Sequence, residues 1–157
     1  MRYLSRPFSR PWPRLHQLAD ALIPINFLLA SAGIAVSSVL LWLYYNPSSP
    51  LCSEVGGCHT VATSTYAHIG PVPVAALGVA GYAFLATLSW ARGSVGTAFL
   101  FACSLGGLLY SCYLTYLEAA IIHALCPWCL ASQGIIATLT ITSLSRFLLL
   151  DRIPSPR

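Results

Sequence analysis

The chain has 157 residues, of which 57% are apolar and only 8% charged, with a formal net charge of +4. Soluble proteins carry about 25% charged residues and roughly 45–50% apolar ones, so an ordinary soluble enzyme is excluded. A disordered segment, which needs low hydrophobicity and high charge, is excluded as well. The basic excess does not indicate nucleic acid, because the eight arginines never gather into a groove-sized patch.

Four stretches without Asp, Glu, Lys or Arg follow in chain order: Ala21 to Tyr45, Pro71 to Ala91, Gly93 to Leu117 and Ala119 to Ser145. Each has room for the roughly 20 residues that a helix needs to cross about 30 Å of hydrocarbon. Backbone amides in hydrocarbon must be satisfied within their own segment, so these runs are expected to be helices. The spacing predicts helices over 21–45, 71–91, 94–117 and 127–150, an outer loop over 46–70 and a single domain over 1–157. The last helix is placed from Pro127 because proline is favoured at the first helical position. Ala30-Ser31-Ala32 has the small residues of a signal-peptide cleavage site. The apolar run continues past it to Tyr45, which favours an anchor.

The arginines give the expected orientation. Arg2, Arg6, Arg10 and Arg14 precede the first run, Arg92 separates the second from the third, and Arg146, Arg152 and Arg157 close the chain. With four crossings all of them fall on one side, which the positive-inside rule makes cytoplasmic. Both termini are then cytoplasmic, and the opposite face carries Glu54 and Glu118 with no Lys or Arg.

That opposite face also holds four of the six cysteines: Cys52 and Cys58 in the first outer loop, and Cys126 and Cys129 at the mouth of the fourth helix. Disulfides form and persist on an extracytoplasmic face. Cys126-Pro127-Trp128-Cys129 has the spacing of a redox dithiol, and the positive end of a helix dipole favours the thiolate that attacks in exchange. A structural disulfide or half of a zinc site gives the same spacing. Gly56 and Gly57 precede Cys58 and suggest a mobile pair able to swing between two partners, against a static loop-closing disulfide. The segment from His59 to Gly70 is too short to span; a short helix ending at Gly70 is expected, with Val61 and Ala62 facing the bundle. Cys103 and Cys112, inside the third helix, read as small buried apolar side chains.

These residues together resemble the vitamin K epoxide reductase family, particularly its bacterial members, over about Ala21 to Leu150. The likeness rests on three features: Cys52 and Cys58 followed by Ser64, the opening Gly70-Pro71-Val72-Pro73 through Gly81-Tyr82, and Ile121-Ile122-His123-Ala124-Leu125 running into Cys126-Pro127-Trp128-Cys129. The resemblance implies an all-α integral membrane four-helix bundle with a short extracytoplasmic helix or loop capping a quinone pocket. It implies that Cys129 faces the quinone with Cys126 as its partner, that Cys58 exchanges with Cys126, and that Cys52 meets an external thiol. Ser64 helps hold the quinone, with Leu77, Tyr82 and Ile122 lining the pocket by family position. The electron acceptor is a quinone of menaquinone, ubiquinone or phylloquinone type, with no metal. The electron donor is a thioredoxin-like or DsbA-like thiol protein, expected to be separate because the chain stops at Arg157. The expected setting is a bacterial cytoplasmic membrane, with the activity supporting disulfide formation in exported proteins. Val74 and Gln133 stand where vertebrate members have an asparagine and a tyrosine, which argues against vitamin K epoxide and leaves quinone reduction open. A rival family of four-helix quinone-linked thiol oxidases places its C-x-x-C in the first outer loop, and the order here argues against it. A non-catalytic four-span scaffold with structural disulfides is the alternative of a different class.

Overall fold

The computed structural model describes residues 12–46, 49 and 57–151. Five α-helices account for most of them: α1 (Trp12–Tyr45), α2 (Cys58–Ala62), α3 (Val74–Leu88), α4 (Gly93–Leu117) and α5 (Pro127–Asp151). The segment between α2 and α3 holds a 3-10 turn, Thr65–Ala67, and a two-stranded antiparallel ribbon, β1 (His68–Ile69) and β2 (Val72–Pro73). Gly70 turns this ribbon with φ +59°, a left-handed conformation that glycine adopts without steric cost. The helix expected to end at Gly70 therefore stops at Ala62.

Three helical segments, Leu15–Tyr45, Gly93–Ile122 and Pro127–Asp151, are long and apolar enough to cross a membrane. The fourth apolar helix, α3, has 15 residues and is shorter than the span expected from its uncharged run. At 1.5 Å per residue it measures only about 22 Å. The cause is at its start, where Pro73 sits in extended conformation (φ −61°, ψ 138°) and belongs to β2. Helix α1 begins earlier than expected, at Trp12 rather than Ala21, and carries Pro24 within it.

The bundle is assembled around α1, which packs along both α3 and α5, while α5 packs along α4. Helices α3 and α4 touch each other much more sparsely. Leu28, Phe84, Phe99, Leu109, Ile141 and Leu148 are exposed on the outer faces. The buried seams hold small and polar residues instead, including Asn26, Ser37, Thr97, Ser104 and Ser143. That distribution suits lipid, where association depends on close packing and hydrogen bonds between helices rather than on a hydrophobic drive. Ser104 and Ser143 hydroxyls meet at 3.1 Å across α4 and α5, and Thr142 donates to Asn26 across α5 and α1.

Arg146 is not a surface charge. It is 2% exposed on α5, and its guanidinium donates to the carbonyls of Ser89 at 2.9 Å and Ala91 at 2.7 Å. Those carbonyls end α3, so a cation there satisfies orphan acceptors and the negative end of the helix dipole.

Candidate functional site: two sulfurs at the wall of an apolar cavity

At the end of the bundle where α2 lies, the loop carrying Cys58 meets the start of α5. The Cys58 and Cys126 sulfurs are 2.8 Å apart and buried. Leu43, Val61 and Trp128 pack around this pair, together with Cys129. Cys58 is 2% exposed and Cys126 1%, so both sulfurs are shielded from bulk water.

Three local features produce the approach. Gly57 has an ordinary backbone conformation, φ −72° and ψ 12°, so its glycine is not required for a turn. A Cβ at Gly57 would lie 2.5 Å from the Ala124 Cβ and 3.0 Å from its Cα. Glycine there allows two backbones to touch, which differs from the mobility read from sequence. Next, α4 ends in a π-helical turn over Glu118–Ile122, a wider coil that recurs at functional sites. That turn closes at His123, the one described non-glycine residue with positive φ (54°), which redirects the chain toward Cys126. Its Nδ1 lies 3.2 Å from the Ile121 carbonyl.

Glu118 opens the π turn and is 4% exposed. Its Oε2 accepts the Cys126 backbone N–H at 2.9 Å. The carboxylate thus occupies the N-terminal end of α5, where the helix dipole favours negative charge. The Cys126 thiol is pulled well below the usual thiol range. The main cause is a hydrogen bond from the Cys129 thiol; burial opposes it, a hydrogen bond from Cys58 adds to it, and the Glu118 charge opposes it. The arrangement favours a Cys126 thiolate beside a Cys129 thiol, which is the pairing that attacks and resolves disulfides.

A cavity of about 430 Å³ lies beneath, with Cys58, Cys126 and Cys129 in its wall. Ser64, Leu77, Tyr82 and Ile122 line the same cavity, as do Val61 and Ala62 from α2. The Ser64 hydroxyl donates to the Val61 carbonyl at 2.7 Å. The Tyr82 hydroxyl donates to the Ser132 carbonyl at 2.8 Å, and its ring lies over Gly33, where a side chain would collide with it. Val74 lines the cavity too, whereas Gln133 accepts from Thr115 at 2.7 Å and donates to the Cys112 sulfur at 3.5 Å on the α4–α5 seam. Cys103 reaches the cavity wall; Cys112 is exposed. Cys52 lies outside the described residues.

Sequence reasoning missed Glu118, Gly57, His123 and Ser132 as contributors. Glu118 carried one usable signal, an acid without a neighbouring base at the end of an apolar run. Among the described residues, no group of three or more His, Cys, Asp and Glu side chains is placed to hold a metal ion.

Among known proteins, the family model described as the vitamin K epoxide reductase family matches residues 24–144, well over half of the chain. No individually curated protein matches it.

Proposed function

The chain belongs to the vitamin K epoxide reductase family, and from that premise we propose that it carries electrons from a thioredoxin-like or DsbA-like protein, through two cysteine pairs, to a quinone. Membership makes it a membrane oxidoreductase of the thiol–quinone class, whose members use quinones as electron acceptors and work with thiol proteins. The finer assignment rests on one observation: the Cys58 and Cys126 sulfurs stand 2.8 Å apart at the wall of the cavity that also holds Cys129.

The reaction balances in three exchanges. A reduced partner attacks a Cys52–Cys58 disulfide, leaves oxidised, and delivers two electrons and two protons as two thiols. The Cys58 thiolate then attacks the Cys126–Cys129 disulfide at Cys126; Cys52 resolves the mixed disulfide, and the C-x-x-C pair is left reduced. Finally Cys126 and Cys129 close their S–S bond, and the two electrons and two protons convert the quinone to quinol. Each exchange needs a thiolate within reach of a disulfide and a more oxidising acceptor downstream. The protein supplies position and dryness, while the redox chemistry is that of the quinone. Sparse contact between α3 and α4, both of which line the cavity, supports entry of a quinone from the lipid between them.

Four crossings, with the arginine-bearing ends cytoplasmic and both cysteine pairs extracytoplasmic, fit this role. The oxidised partner then installs disulfides in exported proteins. Ser64, Leu77, Tyr82 and Ile122 are assigned to the quinone through the cavity they share. The ring is of menaquinone, ubiquinone or phylloquinone type, and Val74 presents an apolar side chain in the cavity wall.

The test is quinol formation by the purified protein supplied with a reduced thioredoxin-like protein and each quinone class. The expected result is one quinol per oxidised partner dithiol, abolished by Cys126→Ser and by Cys129→Ser. Turnover that survives both substitutions would overturn the assignment in favour of a scaffold.

A further inference from the structure

We propose that Glu118 is the proton carrier between the Cys129 thiol and the quinone. The inference rests on the thiol–quinone reading above and adds a residue to it. Glu118 is 4% exposed, and among the described residues it forms no ion pair. A carboxylate withdrawn from water without a cation is costly unless hydrogen bonds or a proton compensate it. One oxygen, Oε2, is committed to the Cys126 backbone N–H at 2.9 Å. The side chain lines the cavity shared by Cys126, Cys129 and Ile122. The Cys129 thiol stands in the wall of the same cavity. It therefore holds one member of the C-x-x-C pair and shares with the other the space where an acceptor would lie. The π turn that begins at Glu118 sets this placement, since it widens the coil just before the chain doubles back at His123.

The chemistry needs such a group. Closing the Cys126–Cys129 bond releases two electrons to the quinone, and quinol formation takes up two protons. The first comes from the Cys129 S–H bond: Glu118 accepts it as the sulfur is oxidised and passes it to the nearer quinone oxygen. The second was surrendered when Cys126 became a thiolate and is returned to the other oxygen from solvent. Glu118 releases the proton it took up, and no further reductant or oxidant is required. A general acid–base group held at hydrogen-bond distance is worth about 10²- to 10⁴-fold in rate.

Glu118→Gln separates this role from simple positioning. Glutamine retains an acceptor for the Cys126 N–H but binds no proton. In the purified full-length protein, quinol formation from the pre-reduced C-x-x-C pair should fall at least about tenfold, by a larger factor than any slowing of exchange between Cys58 and Cys126. Glu118→Asp, which keeps an ionisable carboxyl, should recover part of the loss, and the wild-type quinone step should slow in heavy water. Glu118→Gln turning over quinone at the wild-type rate would overturn the inference, as would an Asp variant no better than Gln. If Gln prevents folding, the Asp variant decides on its own: a quinone step slowed more than exchange supports the carrier, and equal slowing of both steps refutes it. Failure of the wild type to form quinol at all would instead sink the underlying reading.

Discussion

Substituting Gly57 with alanine should disconnect the two cysteine pairs without disturbing either one. The backbone at Gly57, φ −72° and ψ 12°, accepts alanine freely, so the effect is one of space alone. The new methyl would stand 2.5 Å from the Ala124 Cβ, 3.0 Å from its Cα and 3.1 Å from its carbonyl carbon. Carbon atoms prefer separations of about 3.5–4.0 Å, and two of these three neighbours are backbone that cannot rotate aside. The two chains must part by about 1 Å, at an overpacking cost of roughly 1–3 kcal/mol. Cys58 follows directly, so its sulfur leaves the 2.8 Å contact with Cys126 by a similar distance. A displacement of about 1 Å in a reacting pair costs on the order of 10²-fold in rate. The assay is rapid-quench trapping of electrons passing from the Cys52–Cys58 pair to the Cys126–Cys129 pair, beside quinone reduction by protein reduced directly with a small dithiol. The first should fall about 100-fold and the second little. Gly134→Ala, at an exposed helical glycine with nothing within 4 Å, serves as the control. Transfer in Gly57→Ala at the wild-type rate would refute the claim that this close approach sets the sulfur contact.

Other outcomes follow from the same geometry. The Cys126 thiolate absorbance should titrate below the ordinary thiol value of about 8.5, and Cys129→Ala, which removes the donor, should raise the midpoint, because the Cys129 hydrogen bond is the largest cause of the shift. In linkage terms, the stability this group contributes is complete above the ordinary thiol value and is lost as pH falls through the lowered one; a rising stability toward acid would contradict it. Ser64→Ala should slow quinone turnover about fivefold, the worth of one hydrogen bond, and leave exchange between the pairs alone; equal slowing of both removes Ser64 from the pocket. Arg146→Met strips two hydrogen bonds from the end of α3 and should cost about 3 kcal/mol, seen as a melting temperature lower by roughly 5–10 °C. Arg146→Lys should not restore it, since an ammonium cannot span both carbonyls as the planar fork does.

The membrane bundle was legible because lipid imposes a coarse rule, namely uncharged runs of sufficient length. The same coarseness explains the misplaced ends. Charge counting could not show that Pro73 belongs to a ribbon and delays α3 to Val74, or that α1 extends back through Asp20 to Trp12. Charge counting treats Arg146 as a surface cation, yet it is buried and clamps α3. The C-x-x-C pair could be located by spacing alone, and the family resemblance pointed to the Cys58–Cys126 exchange. The means of contact were invisible, because they depend on backbone shape: a glycine that admits Ala124, a π turn, and a left-handed histidine. Glu118 sits eight residues before Cys126, a separation that no regular helix brings together, so only the folded turn reveals its hydrogen bond.

The central claim is that the two cysteine pairs form one electron path joined at Cys58 and Cys126. With Cys52 and Cys129 both changed to serine, neither pair can resolve itself, and mild oxidation followed by peptide mapping under non-reducing conditions reads the bond that remains. The account predicts a Cys58–Cys126 disulfide in nearly every molecule. Cys126 bonded instead to Cys103 or Cys112, or both sulfurs left unjoined, would contradict it.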